Sequence, residues 1–187
     1  MHTLLLNGSP RKEGGTSSIV RALMERLEGE VTYMEAYRTN VSPCIDCRYC
    51  WTHPACAIDD AMQTAYRAID CADQIVIASP IYFAELTGPL LSWASRLQFL
   101  YASRVFRHAP YLTEKYRRGA VILVDGGDGC WETAEAMGRR LLRTMGATYE
   151  DLIYYSGTDR AGRSNPLDDA EIVRKIETLA RKYNAAQ

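Results

Sequence analysis

Short apolar runs alternate with amphipathic segments along this chain, and that alternation constrains the fold more than any other feature. The runs 74–78 and 120–124 are rich in Ile and Val, as buried parallel strands are. Segments 16–27 and 168–183 instead carry their apolar residues at helical spacing. Because strands and helices that alternate build a parallel sheet covered on both faces, the sequence predicts an α/β fold.

The whole pattern predicts five strands joined by five crossover helices. We expect strands at 3–7, 30–37, 74–78, 120–124 and 148–155, and helices at 16–27, 59–69, 86–104, 131–145 and 168–183. The 187 residues suit one core, so we interpret residues 1–187 as a single domain. The pattern alone leaves a Rossmann strand order and the flavodoxin order 2-1-3-4-5 open. In both orders, ligands bind at the carboxyl ends of the strands.

Composition argues against two classes of partner. The formal net charge is −1, so no broad basic field is available to attract nucleic acid or an anionic membrane. No apolar run approaches the length of a spanning helix, and the N-terminus lacks the basic and apolar regions of a signal peptide. We therefore expect a cytoplasmic protein whose cysteines stay reduced, with no nucleic-acid and no membrane partner.

The loop after the first strand has the composition of a phosphate site. Residues 8–18 combine glycines, hydroxyl side chains and two cations ahead of a predicted helix, whose N-terminus favours anions. The loop has neither the G-x-G-x-x-G fingerprint nor a P-loop Gly-Lys-Ser/Thr. Its hydroxyl groups suit a terminal phosphate monoester, as in FMN, better than a bridging pyrophosphate. An ordinary serine-rich turn is the alternative.

Four of the six cysteines lie close together in residues 42–58, an irregular loop inserted after the second strand. Their spacing is Cys44-x2-Cys47-x2-Cys50-x5-Cys56. Three thiolates at this spacing can hold three corners of a 4Fe–4S cluster, and Cys56 is near enough to hold the fourth. Zinc is less favoured, because a zinc ribbon pairs two C-x2-C knuckles across a longer spacer. Reduced thiols without a metal are the remaining alternative.

Three segments resemble the NAD(P)H-dependent FMN reductase family and its iron–sulfur flavoprotein branch. The segment 7–17, Asn-Gly-Ser-Pro-Arg…Gly-Gly-Thr-Ser, is similar to the family's phosphate loop, and 79–90 to its second flavin loop. The cysteine run, followed by residues 59–62, is similar to the compact cluster motif of the branch. In the helix after the second loop, Leu91 stands where members often have lysine, and Ser95 precedes Arg96.

The resemblance implies a flavodoxin-like doubly wound five-stranded parallel sheet of order 2-1-3-4-5, with helices on both faces and FMN as cofactor. It implies a flavin oxidoreductase that moves electrons between a reduced donor, NAD(P)H or ferredoxin-like, and an acceptor, with NAD(P)H as a candidate substrate. The implied FMN-binding residues are Ser9, Arg11, Thr16, Ser17, Ser18, Pro80, Ile81, Tyr82, Phe83, Gly126, Gly127 and Asp128, and the implied cluster ligands are Cys44, Cys47, Cys50 and Cys56.

No protein acid or base is required, because the flavin itself is the redox group. We expect a homodimer or tetramer whose other partner is a small redox acceptor or an electron-carrier protein. The alternatives are a cluster-free NAD(P)H-dependent FMN or quinone reductase, and a redox carrier or sensor without enzymatic activity.

Overall fold

The computed structural model describes residues 1–127 and 130–185. Five parallel strands form one sheet in the order β2-β1-β3-β4-β5, which confirms the flavodoxin-like fold. The strands are β1 (His2–Asn7), β2 (Glu30–Glu35), β3 (Gln74–Pro80), β4 (Arg118–Val124) and β5 (Thr148–Tyr155). The helices are α1 (Gly15–Met24), α2 (Tyr49–Thr52), α3 (Met62–Cys71), α4 (Gly88–Ser95), α5 (Gln98–Val105), α6 (Glu132–Thr144) and α7 (Ala170–Asn184), with a 3-10 turn at Pro166–Asp168.

The sheet separates two apolar clusters, one on each face. Side chains alternate between the faces along a strand, so Val76 belongs to one cluster and its neighbour Ile75 to the other. Helices α1 and α7 cover the face that contains Val76, and α3 to α6 cover the face that contains Ile75. The three inner strands are almost wholly buried, which explains their continuous apolar runs.

The segment 86–104, expected as one helix, is two helices. Helix α4 ends at Ser95 and α5 begins at Gln98. The carbonyl of Arg96 accepts a hydrogen bond from the buried Tyr66 hydroxyl at 2.8 Å, and this contact from α3 fixes the chain where the helix breaks. The apolar side chains of this region are buried, Trp93 of α4, Leu97 between the helices, and Phe99 and Leu100 of α5 among them.

Other boundaries differ from the prediction by a few residues. Strand β2 ends at Glu35 rather than at 37, and the single-turn helix α2 lies inside the cysteine loop. Helix α6 is followed by Gly146 at φ +76°, the left-handed conformation expected of a glycine that ends a helix. In the part of the chain that the structure describes, no helix has the length and apolar character needed to span a bilayer.

Candidate flavin cleft and cysteine loop

An open cleft of about 520 Å³ lies at the carboxyl ends of β1, β3, β4 and β5. Its volume falls within the range of small-molecule sites. It is lined by Ser9, Pro10, Arg11, Glu13, Gly14, Gly15, Thr16, Pro80, Ile81, Tyr82, Val124, Asp125, Gly126, Thr158, Asp159 and Ser164. The structure thus brings together seven of the twelve residues proposed for FMN: Ser9, Arg11, Thr16, Pro80, Ile81, Tyr82 and Gly126.

One end of the cleft is suited to an anion. Helix α1 begins at Gly15 without a side-chain cap, so its first backbone N–H groups are available to a ligand. The buried side chains of Ser9 and Thr16 and the exposed Arg11 line the same end. A Cβ at Gly15 would lie 3.0 Å from Pro166, which explains why a glycine allows the loop to pack here.

Two serines proposed for phosphate binding make contacts within the loop and lie outside the cleft. The Ser17 hydroxyl donates to the carbonyl of Arg11 at 2.7 Å and accepts from Asn7 Nδ2 at 3.1 Å. The Ser18 hydroxyl donates to the carbonyl of Gly14 at 3.2 Å, one turn earlier in the helix. Both side chains stabilise the loop, and neither lines the cleft.

The loop after β3 supplies an apolar wall and a protruding aromatic ring. Tyr82 and Glu85 exchange backbone hydrogen bonds, and the two residues between them, Phe83 and Ala84, have φ values of +54° and +62°. This geometry is a type I′ turn, which normally contains Gly, Asn or Asp. The Phe83 side chain is fully exposed and does not line the cleft, so it stands apart from Tyr82.

The loop after β4 is held by a buried carboxylate. Asp125 Oδ1 accepts the backbone N–H of Gly127 at 3.0 Å, and Oδ2 accepts the Tyr154 hydroxyl. Burial, and then the bond to Asp125, raises the pKa of Tyr154 to about 12. Gly126 lines the cleft and Gly127 does not, whereas Asp128, also proposed for FMN, lies outside the described residues.

The loop after β5 also belongs to the site, although no sequence motif indicated it. Thr158 donates both its backbone N–H and its hydroxyl to the carbonyl of Asp125, at 3.1 Å each, and lines the cleft. Asp159 lies so close to Gly126 that a Cβ there would fall 2.2 Å from Asp159 Oδ2. Ligands of such sheets bind at the carboxyl ends of the strands, and the fifth strand ends at the same edge as the first, third and fourth. The predicted strand at 148–155 was therefore the signal for this loop.

The four clustered cysteines line a second, smaller hollow together with Arg96 and Phe99. All four are free thiols, and Cys44, Cys50 and Cys56 are partly buried. Burial, followed by the charges of the neighbouring thiolates of Cys56 and Cys44, raises the pKa of Cys50. Ionised thiols nearby therefore disfavour ionisation of Cys50, and a bound cation would relieve that repulsion.

The residues that line the hollow are suitable ligands for a 4Fe–4S cluster, but the hollow is too small to contain one without movement of the loop. Four thiols are the ligands that a 4Fe–4S cluster takes. Within residues 1–127 and 130–185, no three His, Cys, Asp or Glu side chains converge on a single metal ion. A zinc ion needs sulfurs about 3.8 Å apart, whereas a cubane holds each thiolate on a different iron. The hollow has room for about one water molecule, so a cluster requires the exposed part of the loop to move outward.

Helix α4 contacts both sites through its two ends. At its start, the hydroxyl of Thr87 donates to the carbonyl of Gly8 at 2.8 Å, in the first loop of the cleft. At its end, Ser95 Oγ accepts the backbone N–H of Cys44 at 2.9 Å. Thr87 and Ser95 are eight positions apart, which corresponds to about 12 Å of helix. One short element therefore connects the flavin cleft with the cysteine loop.

Residues 1–149 match the family described as NADPH-dependent FMN reductase, and the chain belongs to that family. An iron–sulfur flavoprotein of Archaeoglobus fulgidus is 28 % identical over 142 residues, which cover 74 % of this chain and 61 % of the relative. An iron–sulfur flavoprotein of Methanocaldococcus jannaschii is 31 % identical over 93 residues, 48 % of each chain. The matched regions thus span between half and three-fifths of these relatives' lengths.

Solved structures share the fold over nearly the whole chain. An FMN-dependent NADH-azoreductase from Bacillus anthracis, solved in complex with FMN, superposes with a TM-score of 0.70 at 16 % identity and covers 98 % of this chain and 100 % of its own. An NAD(P)H:quinone oxidoreductase from Methanothermobacter marburgensis gives 0.69 at 18 % identity, covering 98 % and 94 %. At these identities the likeness establishes the fold.

Proposed function

We propose that this chain is an FMN-dependent oxidoreductase that passes electrons between a reduced donor, NAD(P)H or a ferredoxin-like carrier, and an acceptor. In this proposal the cleft holds FMN, and Cys44, Cys47, Cys50 and Cys56 hold a 4Fe–4S cluster. The family membership and the geometry of the cleft support the first part. The cysteine loop and the names of the iron–sulfur relatives support the second.

The residues of the cleft fit FMN in two respects. The uncapped start of α1, the Ser9 and Thr16 side chains and Arg11 form an end suited to a phosphate. Pro80, Ile81 and Tyr82 form an apolar wall on which a flat ring system can lie. Bound there, FMN would supply one- and two-electron chemistry, and the protein would bind it, orient it and tune its potential.

The single observation that carries the cluster proposal is that all four cysteines of the motif line one hollow. Anaerobic purification followed by an absorbance spectrum and by iron and sulfide assays tests it. We expect about four iron and four sulfide per FMN. Wild-type protein that carries FMN but no iron would contradict the cluster part and leave the flavin part intact.

A cluster-free FMN or quinone reductase is the second candidate, because the hollow is small as the structure stands. Steady-state NAD(P)H oxidation with quinone and ferric acceptors distinguishes the enzymatic proposals from a redox carrier. A chain that holds FMN but turns over with neither acceptor is a carrier or sensor. The cofactor-bearing unit is proposed to be residues 1–187 acting as one domain, in the cytoplasm, where cysteines remain reduced.

A further inference from the structure

Arg96 lies beneath the cysteine loop and binds both of its ends. Its side chain is 1 % exposed, at the junction of α4 and α5. Nη1 donates to the carbonyl of Ser42 at 2.9 Å and to Asp60 Oδ2 at 2.8 Å, and Nη2 donates to the carbonyl of Ile58 at 3.1 Å. One guanidinium group therefore ties residue 42 to residues 58–60 across the loop that contains the four cysteines.

Asp60 completes this tie. Its Oδ2 also accepts the backbone N–H of Ser42 at 2.9 Å, and its Oδ1 accepts the backbone N–H of Met62 at 3.0 Å. Burial alone would raise the pKa of Asp60, but the bonds from Arg96 and from these two N–H groups outweigh it and lower the pKa. The ion pair is thus intact at neutral pH and fixes the ends of the loop, while its apex around Asp46 and Arg48 stays exposed.

One donor of Arg96 has no partner. Its Nε is buried without a hydrogen bond among the described residues, although buried polar groups are nearly always paired. Arg96 also lines the hollow that the four thiols share. Arg117 is the other buried arginine with an unpartnered Nε, but its guanidinium pairs with Asp70 and does not line that hollow. Arg117 therefore serves as a matched control: it is buried and has an unpartnered Nε as Arg96 does, but it lies away from the cysteines.

We propose that Arg96 is a positioning residue for the cysteine ligands: it holds the ends of the loop together and offers its Nε–H to the anionic group that the thiolates bind. This inference rests on the proposed function. A guanidinium suits the task because it is always charged and its planar fork can bind two sites at once. Hydrogen bonds and positive charge near a cluster favour its reduced form, and so raise its potential.

The test compares three variants with wild type, all purified anaerobically with FMN bound. Arg96→Lys keeps the charge but cannot span both loop ends or reproduce the Nε–H. Asp60→Asn weakens the tie and keeps the Nε–H. Arg117→Lys alters the control arginine. The measurements are iron and sulfide per FMN, the midpoint potential of the remaining cluster, the melting temperature, and the alkylation rate of Cys50 and Cys56 in iron-free protein.

We expect Arg96→Lys and Asp60→Asn to lose most of their iron while FMN is retained, and Arg117→Lys to keep wild-type iron. The residual cluster of Arg96→Lys should have a more negative potential, whereas that of Asp60→Asn should be less affected. Without iron, alkylation should be about tenfold faster in Arg96→Lys than in wild type, because the loop opens more often.

Wild-type iron content and potential in Arg96→Lys would overturn the inference and leave the proposed function standing. Equal iron loss in Arg117→Lys would also overturn it, because any buried arginine would then have the same effect. Wild-type protein that takes up no iron contradicts the proposed cluster and the role of the Nε–H together. If, in addition, the alkylation rate in Arg96→Lys equals that of wild type, the claim that Arg96 holds the two ends of the loop together is also wrong.

Discussion

Individual side chains divide into those whose role the sequence indicates and those that depend on distant contacts. The hydroxyl-rich composition of residues 8–18 predicted an anion site, and Ser9 and Thr16 line the cleft there. Composition could not distinguish them from Ser17: the hydroxyls of Ser9 and Ser17 both donate to the carbonyl of Arg11, at 3.2 and 2.7 Å, but Ser17 also accepts from Asn7 of β1 and lies outside the cleft. The sequence indicates no role for Arg96, since its partners Ser42 and Asp60 lie far from it along the chain.

The phosphate end of the cleft gives the first prediction. Ser9→Ala and Thr16→Val should each weaken FMN binding tenfold or more, because one hydrogen bond to a charged group contributes about 1.5–3 kcal/mol. Ser18→Ala is the control, because that hydroxyl donates to the carbonyl of Gly14, the residue before α1, and lies outside the cleft. Fluorescence titration of the FMN-free protein measures the dissociation constants. Equal losses in all three variants would mean that loop stability, and not phosphate contact, determines the affinity.

The turn after β3 gives the second prediction. Ala84 has a φ of +62°, a conformation that costs an L-residue about 1–2 kcal/mol. Ala84→Gly removes that cost, and the greater freedom of the unfolded chain offsets part of the gain, so we expect a rise in melting temperature of about 2 °C. Ala109→Gly, at an exposed position without a positive φ, should instead lower it. A lower melting temperature in Ala84→Gly would contradict this reasoning.

At the scale of elements, apolar periodicity predicts the strands better than the helix boundaries. Strand β5 was expected at 148–155 and is Thr148–Tyr155, although only two of its eight residues are buried. The break between α4 and α5 could not be read locally, because Tyr66 of α3 supplies the hydrogen bond that stabilises it. The loop 42–58 has no periodicity, and hydrogen bonds to Arg96 and Ser95 hold it together with scattered apolar contacts such as that of Trp51 with Phe106.

The ion pair between Lys182 of α7 and Glu150 of β5 predicts that the free energy of unfolding depends on pH. Burial would raise the pKa of Glu150, but Lys182, whose Nζ lies 2.8 Å away, together with Tyr116 and Arg118 lowers it. A carboxyl group whose pKa is lower when folded stabilises the fold above its unfolded pKa of about 4.3, and that contribution is lost as the pH falls through the folded value.

Glu150→Gln should therefore lower the free energy of unfolding by about 1 kcal/mol at pH 7 and have little effect near pH 3. Urea denaturation at the two pH values measures the difference. Glu177→Gln, at an exposed position on α7 without an ion pair in the described structure, should change neither value. A pH-independent effect of Glu150→Gln would show that lost packing, and not charge, is responsible.

For the whole molecule, the strand order came from the resemblance to a family, because alternation alone fits two topologies. The segment 86–116 carries more large apolar residues than one helix face can bury against a single sheet, but the two-helix arrangement buries most of them. Phe106 and Tyr101 remain about 40 % exposed, and Phe106 stacks on Trp51 with ring centroids 4.0 Å apart. These rings form a smaller aromatic surface than the sequence suggested.

That surface predicts how the chain associates. If Phe106 is buried against a second copy, wild type should scatter light as a dimer or tetramer at micromolar concentration, and Phe106→Ala should shift the mass toward the monomer. Tyr116→Ala, which removes an exposed aromatic ring on the segment before β4, serves as the control. A monomeric wild type, or an equal shift in both variants, would exclude this surface as the interface.

Helix α4 contacts the first flavin loop through Thr87 and the cysteine loop through Ser95. We therefore expect occupancy of one site to change the binding affinity of the other. Binding equilibria that share an element are reciprocal, so if iron tightens FMN binding by some factor, FMN must tighten iron binding by the same factor. Titrating FMN into cluster-loaded and cluster-free protein, and iron together with sulfide into FMN-loaded and FMN-free protein under anaerobic reducing conditions, measures both factors. Loss of the coupling in Ser95→Ala, with both cofactors still able to bind, would identify α4 as the part that transmits it. Such a chain would acquire its two redox centres cooperatively, so that partly loaded molecules stay scarce during assembly.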